Sequence, residues 1–268
     1  MDRNQAPGRI EVDGCLLEYA WVGPEPLEER VTLVFLHEGL GCTSLWRDFP
    51  ELVSQCTGLT ALVYSRAGYG GSGPAILPRE VGYMHHEALV VLPAILRALR
   101  IGPTVLIGHS DGASISIIHT GSELQDQVRA LVLIAPHVFN EQISLEGIAT
   151  ARAQYQTTDL REKLARHHGA QVDDTFQGWN EVWLHPDFRD WNIEAFLPAV
   201  DVPALLIQGT RDEYGSLAQL DAIETGVSAQ VERLVIEGVG HSPHRERPAV
   251  ALEAVCRFVH DLLAEPKC

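Results

Sequence analysis

Hydrophobic positions along the chain follow two alternating rhythms. Val31–Leu36, Leu59–Tyr64, Thr104–Ile107, Val128–Ala135, Ala204–Gln208 and Val231–Ile236 are short, nearly unbroken apolar runs rich in Val, Ile and Leu. Runs of that kind are strands buried in the middle of a sheet. Between them, apolar residues recur at helical spacing in Glu87–Arg100 and Pro248–Leu263, and helices are expected near Ser44–Ser54, Ala113–Thr120 and Leu217–Glu224. Ile10–Val22 alternates instead and breaks at Asp13-Gly14, the signature of a tight hairpin. Strands taking turns with helices predict a mostly parallel sheet covered on both faces. The rhythm fails once. From 137 to 198 the strand runs vanish, and the segment is charged, amphipathic and carries Trp179, Trp183 and Trp191. It reads as a helical cap inserted into a core domain made of 1–136 and 199–268.

One of the strands ends in a place suited to chemistry. Thr104–Ile107 runs into Gly108-His109-Ser110-Asp111-Gly112, and the helix begins at once. A strand, a sharp turn and a helix with serine at the tip make a nucleophile elbow. The glycines are required because a Cβ would collide where strand and helix meet so closely. A serine hydroxyl becomes nucleophilic only beside a base, which a third group must orient. Two later strands supply both partners: Ala204–Gln208 runs out into Gly209-Thr210-Arg211-Asp212-Glu213-Tyr214, and Val231–Ile236 into Glu237-Gly238-Val239-Gly240-His241. The loops leave the carboxyl edge of the sheet, where open α/β folds carry their sites. Ser110 is therefore the expected nucleophile, His241 the base and Asp212 the orienting acid. Glu213 is the neighbouring alternative for the acid, and His244 for the base. Developing negative charge on an ester oxygen needs preorganised donors. The N–H of Asp111 is one candidate, and the N–H of Gly39 or Leu40, in His37-Glu38-Gly39-Leu40-Gly41, is the second.

Composition narrows the partners. A chain of 268 residues with a formal charge of −16 is poorly suited to nucleic acid or an anionic membrane, both polyanions. A small-molecule substrate is unaffected by that argument. The five cysteines (Cys15, Cys42, Cys56, Cys256, Cys268) are odd in number and scattered, with no C-x-x-C spacing. They predict neither a zinc site nor a disulfide framework, and point to a reducing compartment. With no signal-like N-terminal segment and no long apolar run, a cytoplasmic location is expected. The remaining histidines have no metal-ligand spacing, so neither a metal nor another cofactor is expected.

With these residues assembled, the chain resembles the α/β-hydrolase superfamily over nearly its whole length. His37–Gly41 is similar to the family's His-Gly-x-x-Gly oxyanion loop, with Glu38 where a glycine is usual. Ser65-Arg66-Ala67-Gly68-Tyr69-Gly70-Gly71-Ser72 resembles its Asp-x-x-Gly-x-Gly-x-Ser loop, with Ser65 replacing the aspartate. The resemblance implies an eight-stranded sheet, a helical cap at 137–198, and a pocket drawing on Glu38, His137, Phe139, Trp179, Trp183 and Tyr214. Dehalogenases and epoxide hydrolases of that superfamily use aspartate at the elbow tip, so Ser110 directs the reading elsewhere. The expectation is a serine hydrolase of small-to-medium neutral carboxylic esters. The alternatives are a C–C bond hydrolase of a dienoate or diketone, and a hydrolase-like receptor with little turnover. Glu38 and Asp111 place two acids at the presumed reaction centre, which should disfavour anionic substrates unless Arg66, Arg211, Arg245 or Arg247 answers them.

Overall fold

A computed structural model describes residues 7–122 and 127–264. β1 (Gly8–Val12) and β2 (Cys15–Val22) form the expected antiparallel hairpin, turning through Asp13 and Gly14 at φ of 51° and 72°. Two successive left-handed residues match the right-handed twist of the strands they join. β3 (Thr32–Leu36) then leads through a 3₁₀ turn at Thr43–Trp46 to α1 (Phe49–Thr57), and β4 (Thr60–Tyr64) follows. The helix expected from Ser44 is thus split, and α1 starts with Pro50 in its first turn, where a missing N–H does no harm. α2 (Tyr83–His86) continues through a π-helical stretch at Glu87–Val91 into α3 (Leu92–Ala98).

β5 (Thr104–His109) and α4 (Asp111–Thr120) carry the elbow, and β6 (Val128–Ile134) follows. The 137–198 segment holds no strand and three main helices: α5 (Gln142–Thr157), α6 (Leu160–His168) and α7 (Val172–Trp183). β7 (Ala204–Gly209), α8 (Ala218–Gly226), β8 (Val231–Ile236), the short α9 (Pro243–Glu246) and α10 (Pro248–Ala264) complete the chain.

The eight strands form one sheet in the order β1-β2-β4-β3-β5-β6-β7-β8, and β2 alone runs against the others. From β3 the chain first pairs outward to β4, then returns to the other side of β3 with β5. That reversal opens a crevice at the carboxyl edge between β3 and β5. The loop carrying Glu38 and the elbow carrying Ser110 are the two loops that leave those strands.

Strand side chains alternate between two cores. Leu33, Phe35, Val105, Ile107, Val132, Leu205 and Ile207 face one way, packed with residues of α1 and α10. Val34, Leu36, Leu106, Leu131, Leu133 and Leu206 face the other, with α3, α4 and α8. All ten residues of α4 are buried, which explains why its sequence shows small and apolar residues all round and no polar stripe. Among the described residues, no helix is long and apolar enough to cross a membrane.

The cysteine reading needs correction. Cys56 on α1 and Cys256 on α10 are disulfide-bonded, with Cα atoms 6.1 Å apart although 200 residues separate them. Spacing along the chain concealed a pairing that arises because both helices cover the same face of the sheet. Cys15 and Cys42 are free, and Cys268 lies outside the described residues. The cysteine pattern therefore no longer argues for a reducing compartment.

A Cβ at Gly112 would run into the carbonyl groups of Leu36 and His37, whereas one at Gly58, at φ 68°, would meet open space. Gly58→Ala should cost about 1–2 kcal/mol, the usual penalty of a left-handed side chain. Gly112→Ala should cost more than that, because rigid backbone must move. Urea denaturation of the two variants would measure the difference, and equal losses would contradict the close packing of the elbow.

Candidate active site

Ser110 sits at the tip of the elbow with φ 53° and ψ −115°, a backbone conformation that costs a non-glycine residue about 1–3 kcal/mol. Its N–H donates to the Ile134 carbonyl (2.9 Å), which ties the turn to the neighbouring strand β6. Asp111 is the first residue of α4, so its amide has no partner inside the helix and lies at the positive end of the helix dipole.

The loops after β7 and β8 converge on each other. His241 Nδ1 lies 2.8 and 2.9 Å from the two carboxylate oxygens of Asp212. Asp212 also accepts from the amides of Tyr214 (2.9 Å) and Gly215 (3.2 Å), and from Gln208 Nε2 (3.2 Å). Burial pushes the Asp212 carboxyl up, but the charge and hydrogen bond of His241 outweigh it and hold the group at about 2. Burial likewise pulls His241 down, and Asp212, with Glu213 and Glu38, more than compensates, so the imidazole is raised above its ordinary value. Of the two acids weighed from the sequence, Asp212 meets the imidazole. Glu213 instead accepts from the backbone N–H of His241 (3.3 Å). Of the two histidines, His244 is buried among Trp46, Phe49 and His109, with ring centroids 5.0, 5.5 and 4.7 Å away. It does not border the cavity described next.

A cavity of about 230 Å³ opens at this edge and is lined by both Ser110 and His241. Glu38, Gly39, Leu40, His137, Trp179, Trp183 and Tyr214 line it too. Asp212 stands behind His241, and the Asp111 side chain points away into the protein. Phe139 is not on the wall; it forms an isolated β-bridge with Asn192 and packs on the core. A chain segment that reads as loop gives no sign of which side its aromatic will take. Sequence reasoning missed His109, Ser144, Ile148 and Ser242 here, and had weighed Glu213 only as an alternative acid. For α5 a signal existed: Ser144, Ile148 and Ala151 are its buried residues, at helical spacing along one face. Burial and the neighbouring His241 push His137 down to about 4, so it faces the cavity as a neutral ring near pH 7.

The two acids near the centre are both answered. Arg245 Nη2 donates to Glu38 Oε1 at 2.6 Å, and His109 Nδ1 lies 3.4 Å from Oε2. Burial opposes ionisation of Glu38, yet the Arg245 guanidinium holds its carboxyl well below the usual range. Asp111 Oδ2 accepts from Arg66 Nη1 and Nη2, each at 3.3 Å, and from the Tyr83 hydroxyl at 2.7 Å. Tyr83 in turn accepts from the Trp183 indole N–H at 3.0 Å. The exception allowed for in the sequence reading is thus the case found, with Arg66 and Arg245 of the four candidate arginines answering the two acids. The same pairing occupies Arg66 and Arg245, Arg211 and Arg247 are exposed, and no Lys or Arg lines the cavity. Among the described residues, no group of three or more His, Cys, Asp or Glu is arranged to hold a metal ion.

The fold agrees with what the chain is similar to. The chain belongs to the alpha/beta hydrolase family, whose model matches residues 33–255. It is similar to a putative esterase/lipase of Mycoplasma pneumoniae, 26% identical over 89% of this chain and 92% of the relative. A monoglyceride lipase homolog of Monkeypox virus is 22% identical over 84% of this chain and 87% of its own length. Among solved structures, the enol-lactonase of Burkholderia xenovorans superposes with a TM-score of 0.71 at 19% identity, covering 96% of this chain and all of its own (100%).

The His241–Asp212 pair should leave a mark on stability. Asp212, depressed to about 2 from 3.8, stabilises the fold above its unfolded value, and that contribution is lost as pH falls from about 4 to about 2. His241, raised above 6.5, stabilises below its unfolded value, and the contribution is lost as pH rises through its folded value. The stability difference between the native protein and Asp212→Asn should therefore be largest between about pH 4 and 6.5, at roughly 2 kcal/mol. Urea midpoints measured across pH would show it, and a difference independent of pH would contradict the pairing.

Proposed function

We propose that the protein is a serine hydrolase that cleaves small neutral carboxylic esters through an acyl-enzyme. The observation that carries this reading is a strained Ser110 sharing one small cavity with His241, whose other nitrogen is held by Asp212. Ser110 Oγ attacks the ester carbonyl while His241 Nε2 takes its proton, and Asp212 fixes the Nδ1–H tautomer and steadies the resulting imidazolium. The tetrahedral oxyanion is received by the amide of Asp111 and by that of Gly39 or Leu40. Collapse breaks the C–O bond to the alcohol, which leaves with the proton from His241. Water then adds to the acyl carbon, its proton passing to His241, and collapse returns Ser110 and releases the acid.

Residues 137–198 act as a cap in this reading. Ser144 and Ile148 of α5 and Trp179 and Trp183 of α7 contribute to the cavity wall, which supports a roof over the nucleophile. At about 230 Å³ the space is below the roughly 300–1,000 Å³ of sites for drug-sized ligands, which favours a short acyl group. With Arg66 and Arg245 both engaged, the cavity lacks the cationic clamp a dienoate carboxylate would need. That weighs against C–C bond hydrolysis. The names of the two sequence relatives, both esterases or lipases, point the same way.

A fluorophosphonate should label the protein at one equivalent, and Ser110→Ala should abolish labelling. Labelling that survives this substitution would move the nucleophile to another residue. Asp212→Asn should keep the fold and lower kcat by about 10⁴, because the imidazole takes the wrong tautomer. Repeated turnovers per labelled site would set the protein apart from a receptor that acylates once.

Acyl length reads the roof directly. Across a series of p-nitrophenyl esters, kcat/KM should fall steeply once the acyl chain outgrows the cavity. Equal values for acetyl and long-chain esters would rule out an enclosed roof.

A further inference from the structure

Glu38, the residue that departs from the family's glycine, lies at the centre of a set of contacts that the reaction scheme leaves unused. Its Oε1 accepts from Arg245, four residues beyond His241 in the chain. Its Oε2 faces His109 Nδ1 at ion-pair distance, 3.4 Å, without the alignment of a hydrogen bond. The other nitrogen of that ring, His109 Nε2, is 2.8 Å from the backbone carbonyl of His241. A carbonyl can only accept, so Nε2 carries the hydrogen, and since burial keeps the ring neutral its Nδ1 is a lone pair that cannot donate to Glu38. The His109 and His241 rings also touch, with centroids 5.2 Å apart. One bonded route therefore leads from the oxyanion loop to the base loop, from Glu38 to Arg245, and His109 packs beside it, tied by its own bond to the His241 carbonyl.

All of these groups are sheltered. His109 is fully buried, and the Glu38 and Arg245 side chains are 15% and 23% exposed. At that depth an ion pair is screened far less than one at the surface. The loops it joins leave β3 and β8, which lie three strands apart in the sheet (β5, β6 and β7 between them), so ladder hydrogen bonds do not fix their separation.

We propose that Glu38 is a positioning residue that locks the His241 loop to the loop supplying the second oxyanion donor, acting through Arg245. This rests on the reading of Ser110 and His241 as nucleophile and base. The charge of Glu38 also reaches the imidazole. His241 is faced by Asp212, Glu213 and Tyr214 from the loop after β7, by Glu38 from the loop after β3, by His109 from β5, by His137 from the loop after β6, and by His244 from α9. Glu38 is among the groups that raise it.

The test compares Glu38→Gln with Arg245→Gln, using p-nitrophenyl acetate as substrate. Glu232→Gln, which breaks the exposed pair between Glu232 and Arg257, is the control and should leave the kinetics unchanged. Each of the two substitutions should lower kcat by about 10–100-fold with KM within about twofold, as expected for a displacement on the order of 1 Å. Their pH profiles should move in opposite directions. Removing the Glu38 charge should shift the acid limb of kcat/KM to lower pH, and removing the Arg245 charge should shift it to higher pH. A merely structural tie would lower the melting temperature and leave both limbs in place, which would overturn the proposal. Unchanged kcat in both variants would overturn it as well. If Glu38→Gln does not fold, Arg245→Gln cuts the same connection from the other side and decides by the same readouts. The two readings can fail separately: a native protein that fluorophosphonate does not label at Ser110 loses both, whereas normal labelling with unaltered variants loses this one alone.

Discussion

Everything at the carboxyl edge depends on how closely α4 approaches the sheet. Gly108 sits against the backbone of Gly112 and Ala113, and Gly112 against the carbonyls of Leu36 and His37, so helix meets strand with no side chain between them. This contact does three things together. It forces Ser110 into its left-handed conformation, it presents the first amides of α4 to the crevice, and it brings the elbow against the end of β3. The loop holding Glu38, Gly39 and Leu40 leaves β3 at that point. Ser110 and the His37–Gly41 loop are thus held by one backbone contact, and Asp212 and His241 are delivered to it by strands further along the same edge.

Charge follows a second rule. The edge concentrates ionisable groups among buried side chains, where an unpaired ion is costly. Three of its acids are met: Asp212 by His241 and two amides, Asp111 by Arg66 and Tyr83, Glu38 by Arg245. The chain as a whole carries −16, yet each of these carboxylates has its partner. Net charge and site charge are separate properties here, and the former is a poor guide to the latter.

How legible all this was in the sequence varied with the range of the interaction. Strands such as Val31–Leu36 and Val128–Ala135 were readable because burial on both faces leaves an unbroken apolar run. The elbow was readable because its glycines, serine and flanking elements are contiguous. Asp212 and His241 followed from their places after successive strands. What stayed hidden depends on contacts between distant segments. Nothing local tells Arg66 that it will face Asp111, or Arg245 that it will face Glu38, 207 positions away. Cys56 and Cys256 are hidden for the same reason, and the side taken by Phe139 is settled only by the strand-like bridge to Asn192. His109 is the exception, since its place beside Ser110 was visible and its bond to the His241 carbonyl was not.

One consequence concerns the cavity wall. The Trp183 indole spends its N–H on Tyr83, and the Ser144 hydroxyl is donated to the Tyr214 carbonyl. At those points the α5 and α7 side of the cavity has no hydrogen left to donate, and a ligand oxygen gains nothing there from either group. In the reading proposed above, these two side chains act on a substrate through shape rather than by donating a hydrogen bond.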